Sequence, residues 1–121
     1  MNKKTNNLIS REILVSANNY KPLPVVISQG KGAWVKDVEG KKYLDMLSAY
    51  SAVNQGHCHP KIIAAAKHQM DSLTLTSRAF HNDKMAVFLE ELCSVSGYDK
   101  ALLMNSGAEA VETALKAVRR W

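Results

Sequence analysis

An α/β fold is predicted for this chain of 121 residues, and three observations carry the prediction. Short runs at Val25–Ile27, Ala33–Val35 and Tyr43–Leu47 are separated by Gly30–Gly32 and Val38–Lys41, the punctuation of a local antiparallel meander. Three longer downstream stretches place apolar residues at helical spacing. Before the last of these, Lys100–Met104 is an apolar run without alternation, which predicts a strand covered on both faces, as in a parallel sheet.

In chain order, residues 1 to about 8 are polar and read as a loose tip. Leu8–Ala17 is predicted as a short helix capped by Ser10, with Ile13 and Leu14 on its buried side. Asn18–Pro24 must be extended, because each proline restricts the residue before it. Tyr20, on that rigid stretch, is equally a pocket residue or a packing residue. Ser48–Pro60 fits neither helix nor strand, and a long irregular segment in a compact domain is a functional suspect. His57 and His59 flank Cys58, which raises zinc. No second ligand cluster follows at a familiar spacing, and Pro60 reads as a helix start, so no metal is assigned. The helix from Pro60 carries Ile62, Ile63, Ala66 and Met70 along one face and ends near Leu73. Thr74–Phe80 is a polar connection whose Arg78 reads as structural. Asn82 then caps a helix with the stripe Met85, Phe88, Leu89 and Leu92, which stops near Gly97.

The last stretch runs from the Lys100–Met104 strand through a turn of small residues into a helix. Ser106 is a good N-cap, and Glu109 completes the capping-box pattern. Val111, Ala114, Leu115 and Val118 form its apolar face, with Glu112, Lys116, Arg119 and Arg120 outward. Such a turn leaves backbone N–H groups at a positive helix end, with Gly107 allowing close approach. That is the physics of a phosphate cradle, but on this stretch alone an ordinary capped helix after a buried strand is the first reading.

The formal charge of +5 is dispersed and lacks interleaved aromatics, which argues against a nucleic-acid partner. Two cysteines, Cys58 and Cys93, make no disulfide framework and suit reduced thiols. No apolar run reaches membrane-span length and no secretory or transit signal opens the chain, so a cytoplasmic protein without membrane attachment is expected. A parallel strand needs neighbours reached by crossover helices, and only one such helix precedes Trp121. The expectation is an N-terminal portion of a larger α/β protein.

Asn105–Lys116 is similar to the cofactor-phosphate turn of class III pyridoxal-phosphate aminotransferases, and Gly40–Asp45 and Gly56–Pro60 match two further stretches of that family in the same order. Tyr20–Pro24, Tyr50–Pro60 and Leu73–Phe80 resemble its ornithine-acting branch, and the likeness extends from about Leu14 onward. The resemblance implies the N-terminal part of a fold-type-I pyridoxal-phosphate-dependent transferase. Residues 1–50 would form a segment of the small domain with its antiparallel meander, and residues 51–121 would open the large, mainly parallel-sheet cofactor domain.

By the same resemblance, Ser106, Gly107 and Ala108 would hold the phosphate of pyridoxal 5'-phosphate, chiefly through backbone N–H groups. Tyr20 would recognise the α-amino end of ornithine. Tyr50 would line the substrate site and favour reaction at the distal amine, while His57 and His59 would have no metal role. The implied substrates are L-ornithine and 2-oxoglutarate, and the implied assembly is a homodimer or higher homo-oligomer with active sites at the subunit interface. The family's Schiff-base lysine, ring-nitrogen aspartate, stacking aromatic and carboxylate-binding arginine have no counterpart here. Lys100 and Lys116 lie outside the lysine motif, so no catalytic residue is assigned. Two alternatives stand beside this reading: a class III enzyme acting on acetylornithine or 4-aminobutyrate, and a short non-enzymatic binding or assembly module.

Overall fold

Residues 25–47 carry the β-branched and turn chemistry of a meander, and the computed structural model, which describes residues 3–121, places a three-stranded sheet there. Strands β1 (Ile27–Lys31), β2 (Trp34–Asp37) and β3 (Lys42–Leu44) lie in the order β1-β2-β3, antiparallel throughout. Trp34 pairs with Lys31 on one side and Leu44 on the other. The first strand starts later than expected and runs through Gly30 and Lys31, so the turn falls on Gly32 and Ala33. The register shifts between Ile27 and Gln29, and Val25 and Val26 precede the strand, although Val38 N–H donates to Val26 O at 2.9 Å.

The β2–β3 turn is built on Asp37, one of two buried residues among those described. Its Oδ1 accepts from Glu39 N–H and Lys41 N–H, both at 2.9 Å, and its Oδ2 accepts from the Tyr43 hydroxyl at 2.7 Å. The Tyr43 hydrogen bond, aided by the backbone donors, holds the Asp37 carboxyl below its ordinary range, and the same contact raises the Tyr43 phenol. The third strand ends at Leu44 rather than Leu47 because Asp45 turns its carboxylate back onto the backbone N–H groups of Leu47 and Ser48.

Helix α1 spans Lys3–Val15, which corrects the expected loose tip and the Ser10 cap. The reason is tertiary. A free N–H in the first turn of a helix needs a partner, and Glu39 Oε1 from the β2–β3 turn accepts from both Thr5 N–H (3.1 Å) and Thr5 Oγ1 (3.0 Å). Thr5 is the other buried residue, whereas Ile13 and Leu14 are exposed rather than buried. The part of the expected tip at Met1 and Asn2 lies outside the described residues.

Helices α2 (Pro60–Ser72), α3 (Met85–Ser96) and α4 (Gly107–Arg120) fall where apolar periodicity puts them. Pro60 sits in the first turn of α2, where its missing N–H costs nothing. Asn82 Oδ1 accepts from Lys84 N–H and Met85 N–H at the entrance to α3, and Gly97 closes that helix in the left-handed conformation. Two compact units result, one ending at Thr74 and the other running Leu75–Trp121.

No hydrophobic side chain is buried among the described residues. The apolar stripe of α4 is formed but open, with Val111, Leu115 and Val118 each more than half exposed. Lys100–Met104 is not a strand in this chain. A strand exists through its ladder, and among the described residues the only paired strands are β1, β2 and β3.

Candidate functional site

The turn entering α4 has both halves of the capping box. Ser106 Oγ accepts from Glu109 N–H at 3.3 Å, and Glu109 Oε2 accepts from Ser106 N–H at 2.8 Å and from the Ser106 hydroxyl at 3.2 Å. Glu109 also lies in the first turn, with Arg119 and Arg120 in the last, so charge complements the helix dipole at both ends. These bonds commit the Ser106 N–H to Glu109. The N–H groups of Gly107 and Ala108 donate to nothing among the described residues, and a Cβ added at Gly107 would meet no atom within 4 Å. Two unspent donors at a positive helix end, over open space, match the needs of a phosphate group.

In the other unit, Ser48–Pro60 is ordered by a clamp that periodicity did not reveal. Asp45 Oδ1 accepts from Leu47 N–H (3.1 Å) and Ser48 N–H (2.9 Å), and Asp45 Oδ2 meets His57 Nε2 at 2.7 Å. His57 is pinned in turn by its backbone, exchanging two hydrogen bonds with Gly32 at 2.8 and 2.9 Å. The imidazole packs so closely on β1 that a Cβ at Gly30 would lie 2.7 Å from its Cγ. Both members of the pair are partly buried, at 28% and 18% side-chain exposure, which shelters it from solvent.

His57 first, and then the Ser48 amide, hold the Asp45 carboxyl below its ordinary value of 3.8. A folded pKa below the unfolded one means that the unfolded state takes up the proton first. This contribution to stability is therefore complete above about pH 4 and is lost as pH falls through the lowered value. An acid titration followed through the Ser48 amide resonance is expected to show a midpoint below 3.8. A midpoint at or above that value would show the contact to be absent.

Between the clamp's two ends, Ser48, Ala49, Tyr50 and Ser51 all have positive φ, at 48°, 48°, 56° and 69°. Consecutive left-handed residues other than glycine are strained, by roughly 1–2 kcal/mol each. Tyr50 sits inside this turn and is 86% exposed, and Tyr20 is 81% exposed on the extended segment after α1. The structure thus displays both tyrosines in one unit and the Ser106–Ala108 turn in the other. Arg78 is exposed and forms no ion pair among the described residues. No three His, Cys, Asp or Glu side chains gather as a metal site among the described residues, and His57 Nε2 is engaged by Asp45.

The chain belongs to the class-III aminotransferases, whose family profile matches residues 15–121. It is 63% identical to the ornithine aminotransferase of Halalkalibacterium halodurans over all 121 residues, which span 30% of that relative. Among solved structures it is similar to an ornithine aminotransferase from Toxoplasma gondii with partial occupancy of PLP at its active site. That match has a TM-score of 0.94 at 47% identity and covers 97% of this chain and 28% of that one. It is also similar to an acetylornithine aminotransferase from Elizabethkingia anophelis, with a TM-score of 0.93 at 56% identity, covering 97% of this chain and 30% of that one.

Proposed function

We propose that the protein to which this chain belongs transfers the distal amino group of L-ornithine to 2-oxoglutarate, giving glutamate semialdehyde and glutamate. The observation that carries the proposal is the 63% identity to an ornithine aminotransferase across the whole chain. In this reading Gly107 and Ala108 N–H groups, with Ser106 shaping the turn, take the phosphate of pyridoxal 5'-phosphate. Bound there, the cofactor supplies the electron sink of the reaction. Tyr50 faces the substrate and favours the distal amine, and Tyr20 receives the α-amino end. The division near residue 50, between an N-terminal segment and the start of the cofactor domain, belongs to the same proposal. So do a cytoplasmic location and a homodimeric assembly. Among the described residues no helix is long and apolar enough to cross a membrane.

A second reading, transfer from acetylornithine, draws on the 56% identity to the Elizabethkingia anophelis enzyme. The two differ in the amine donor. The native protein, captured through an antibody against this chain and loaded with pyridoxal phosphate, is expected to prefer L-ornithine over acetylornithine and 4-aminobutyrate, with 2-oxoglutarate as acceptor. Preference for acetylornithine would replace the first reading with the second. A captured protein with no transaminase activity would remove both.

A further inference from the structure

We infer that Asp45 and His57 are positioning residues that hold the left-handed turn presenting Tyr50, and so set the efficiency of reaction with L-ornithine through it. The inference rests on the proposed substrate role of Tyr50, but the clamp itself is a matter of geometry.

Four successive non-glycine residues in the left-handed region do not persist without an outside constraint. The turn's own hydrogen bonds are few: Val53 N–H to Ser48 O at 3.0 Å, Ala52 N–H to Ala49 O at 3.2 Å and a long contact from Ser51 N–H to Leu47 O at 3.4 Å. The constraint comes from the two ends. At the entrance Asp45 is anchored to the meander by its own N–H, which donates to Ala33 O at 2.8 Å, and its carboxylate takes up the first two N–H groups of the turn. At the exit the His57 backbone is paired with Gly32, and its imidazole closes the circuit back to Asp45.

Gly30 and Gly56 make the arrangement possible. A side chain at Gly30 would strike the His57 ring, and one at Gly56, at φ 83°, would come within 3.0 Å of the Gly32 backbone. The eleven residues between Asp45 and His57 are thereby closed into a loop whose ends are fixed on the sheet, with Tyr50 at its strained part. Both carboxylate oxygens are engaged, Oδ1 by the Leu47 and Ser48 N–H groups and Oδ2 by the imidazole Nε2.

The test uses a chimera in which this chain replaces the matching segment of the Halalkalibacterium halodurans relative, loaded with pyridoxal phosphate. Asp45→Ala removes the acceptor. Asp45→Asn keeps an oxygen for the Leu47 and Ser48 N–H groups and a polar partner for His57. Asp45→Ala is expected to lower kcat/KM for L-ornithine about tenfold or more, as misplacement of a substrate contact does. Asp45→Asn is expected to recover most of the loss. In a Tyr50→Ala background the same Asp45→Ala change is expected to cost less than about threefold, because a residue acting through Tyr50 has nothing left to position.

Equal losses in both backgrounds would overturn the inference, since a merely structural role predicts additivity. A crystal structure of the Asp45→Ala chimera reads the clamp directly. Residues 48–51 leaving the left-handed region supports it, and their staying there overturns it, whatever the kinetics. Should Tyr50→Ala alone leave ornithine kinetics unchanged, the substrate role of Tyr50 falls, and the crystal structure decides the clamp by itself.

Discussion

Offered L-ornithine, 2-oxoglutarate and pyridoxal phosphate, the isolated 121-residue polypeptide is expected to produce no glutamate semialdehyde above the uncatalysed rate. Two independent features lead there. The resemblance assigns the proton-shuttling Schiff-base lysine to a motif that Lys100 and Lys116 do not match, and a transaminase deprived of that lysine loses its covalent attachment and its general base together. The chain also spans only 30% of the curated relative's length, and no hydrophobic side chain is buried among its described residues. Enzymatic acceleration is commonly 10⁶-fold or more, so the loss should be complete within detection. The check is borohydride reduction after incubation with the cofactor, followed by mass spectrometry and an assay for glutamate semialdehyde. Scattered labelling of surface lysines without turnover is the expected outcome. One dominant lysine adduct accompanied by turnover would contradict it.

Replacing Gly107 with alanine is expected to separate folding from cofactor affinity. The added methyl meets nothing within 4 Å, and the capping box between Ser106 and Glu109 involves neither the Gly107 side-chain position nor its N–H. Alanine is also the better helix former, so the stability of α4 should hold or rise slightly. The methyl would, however, stand beside the two unspent donors where the phosphate is proposed to approach. Affinity for pyridoxal phosphate should fall about tenfold, equivalent to ~1.4 kcal/mol. Fluorescence titration of the chimera with pyridoxal phosphate, beside a melting curve of the apoprotein, measures both quantities. Unchanged affinity with unchanged stability would remove Gly107 from the phosphate site. A drop in melting temperature matching the affinity loss would make the effect structural.

Much of the molecule was legible because its signals are local. Glu109 follows Ser106 by three residues, and a capping box needs nothing else. Pro60, Asn82 and Gly97 mark helix ends through their own backbone chemistry, and glycine-bearing turns delimit the meander. The misses share a different cause. The start of α1 depends on Glu39, 34 residues from Thr5, and no window around Lys3 contains that information. Lys100–Met104 has the apolar composition of a strand, but composition supplies no partner. Val111, Leu115 and Val118 were correctly placed on one face of α4, but periodicity identifies a face without saying what covers it.

The same division runs through the candidate sites. By itself the sequence determined the capped turn at Ser106–Ala108, the extended stretch around Tyr20 and the irregularity of Ser48–Pro60, since each follows from residue chemistry within a few positions. Only the tertiary structure decided what that irregularity is. A left-handed run at Ser48–Ser51 has no local signature, because none of its residues favours positive φ. It exists through Asp45, His57, Gly30 and Gly32, brought together by the pairing of strands, and strain of that kind can be stored only where distant groups agree to hold it.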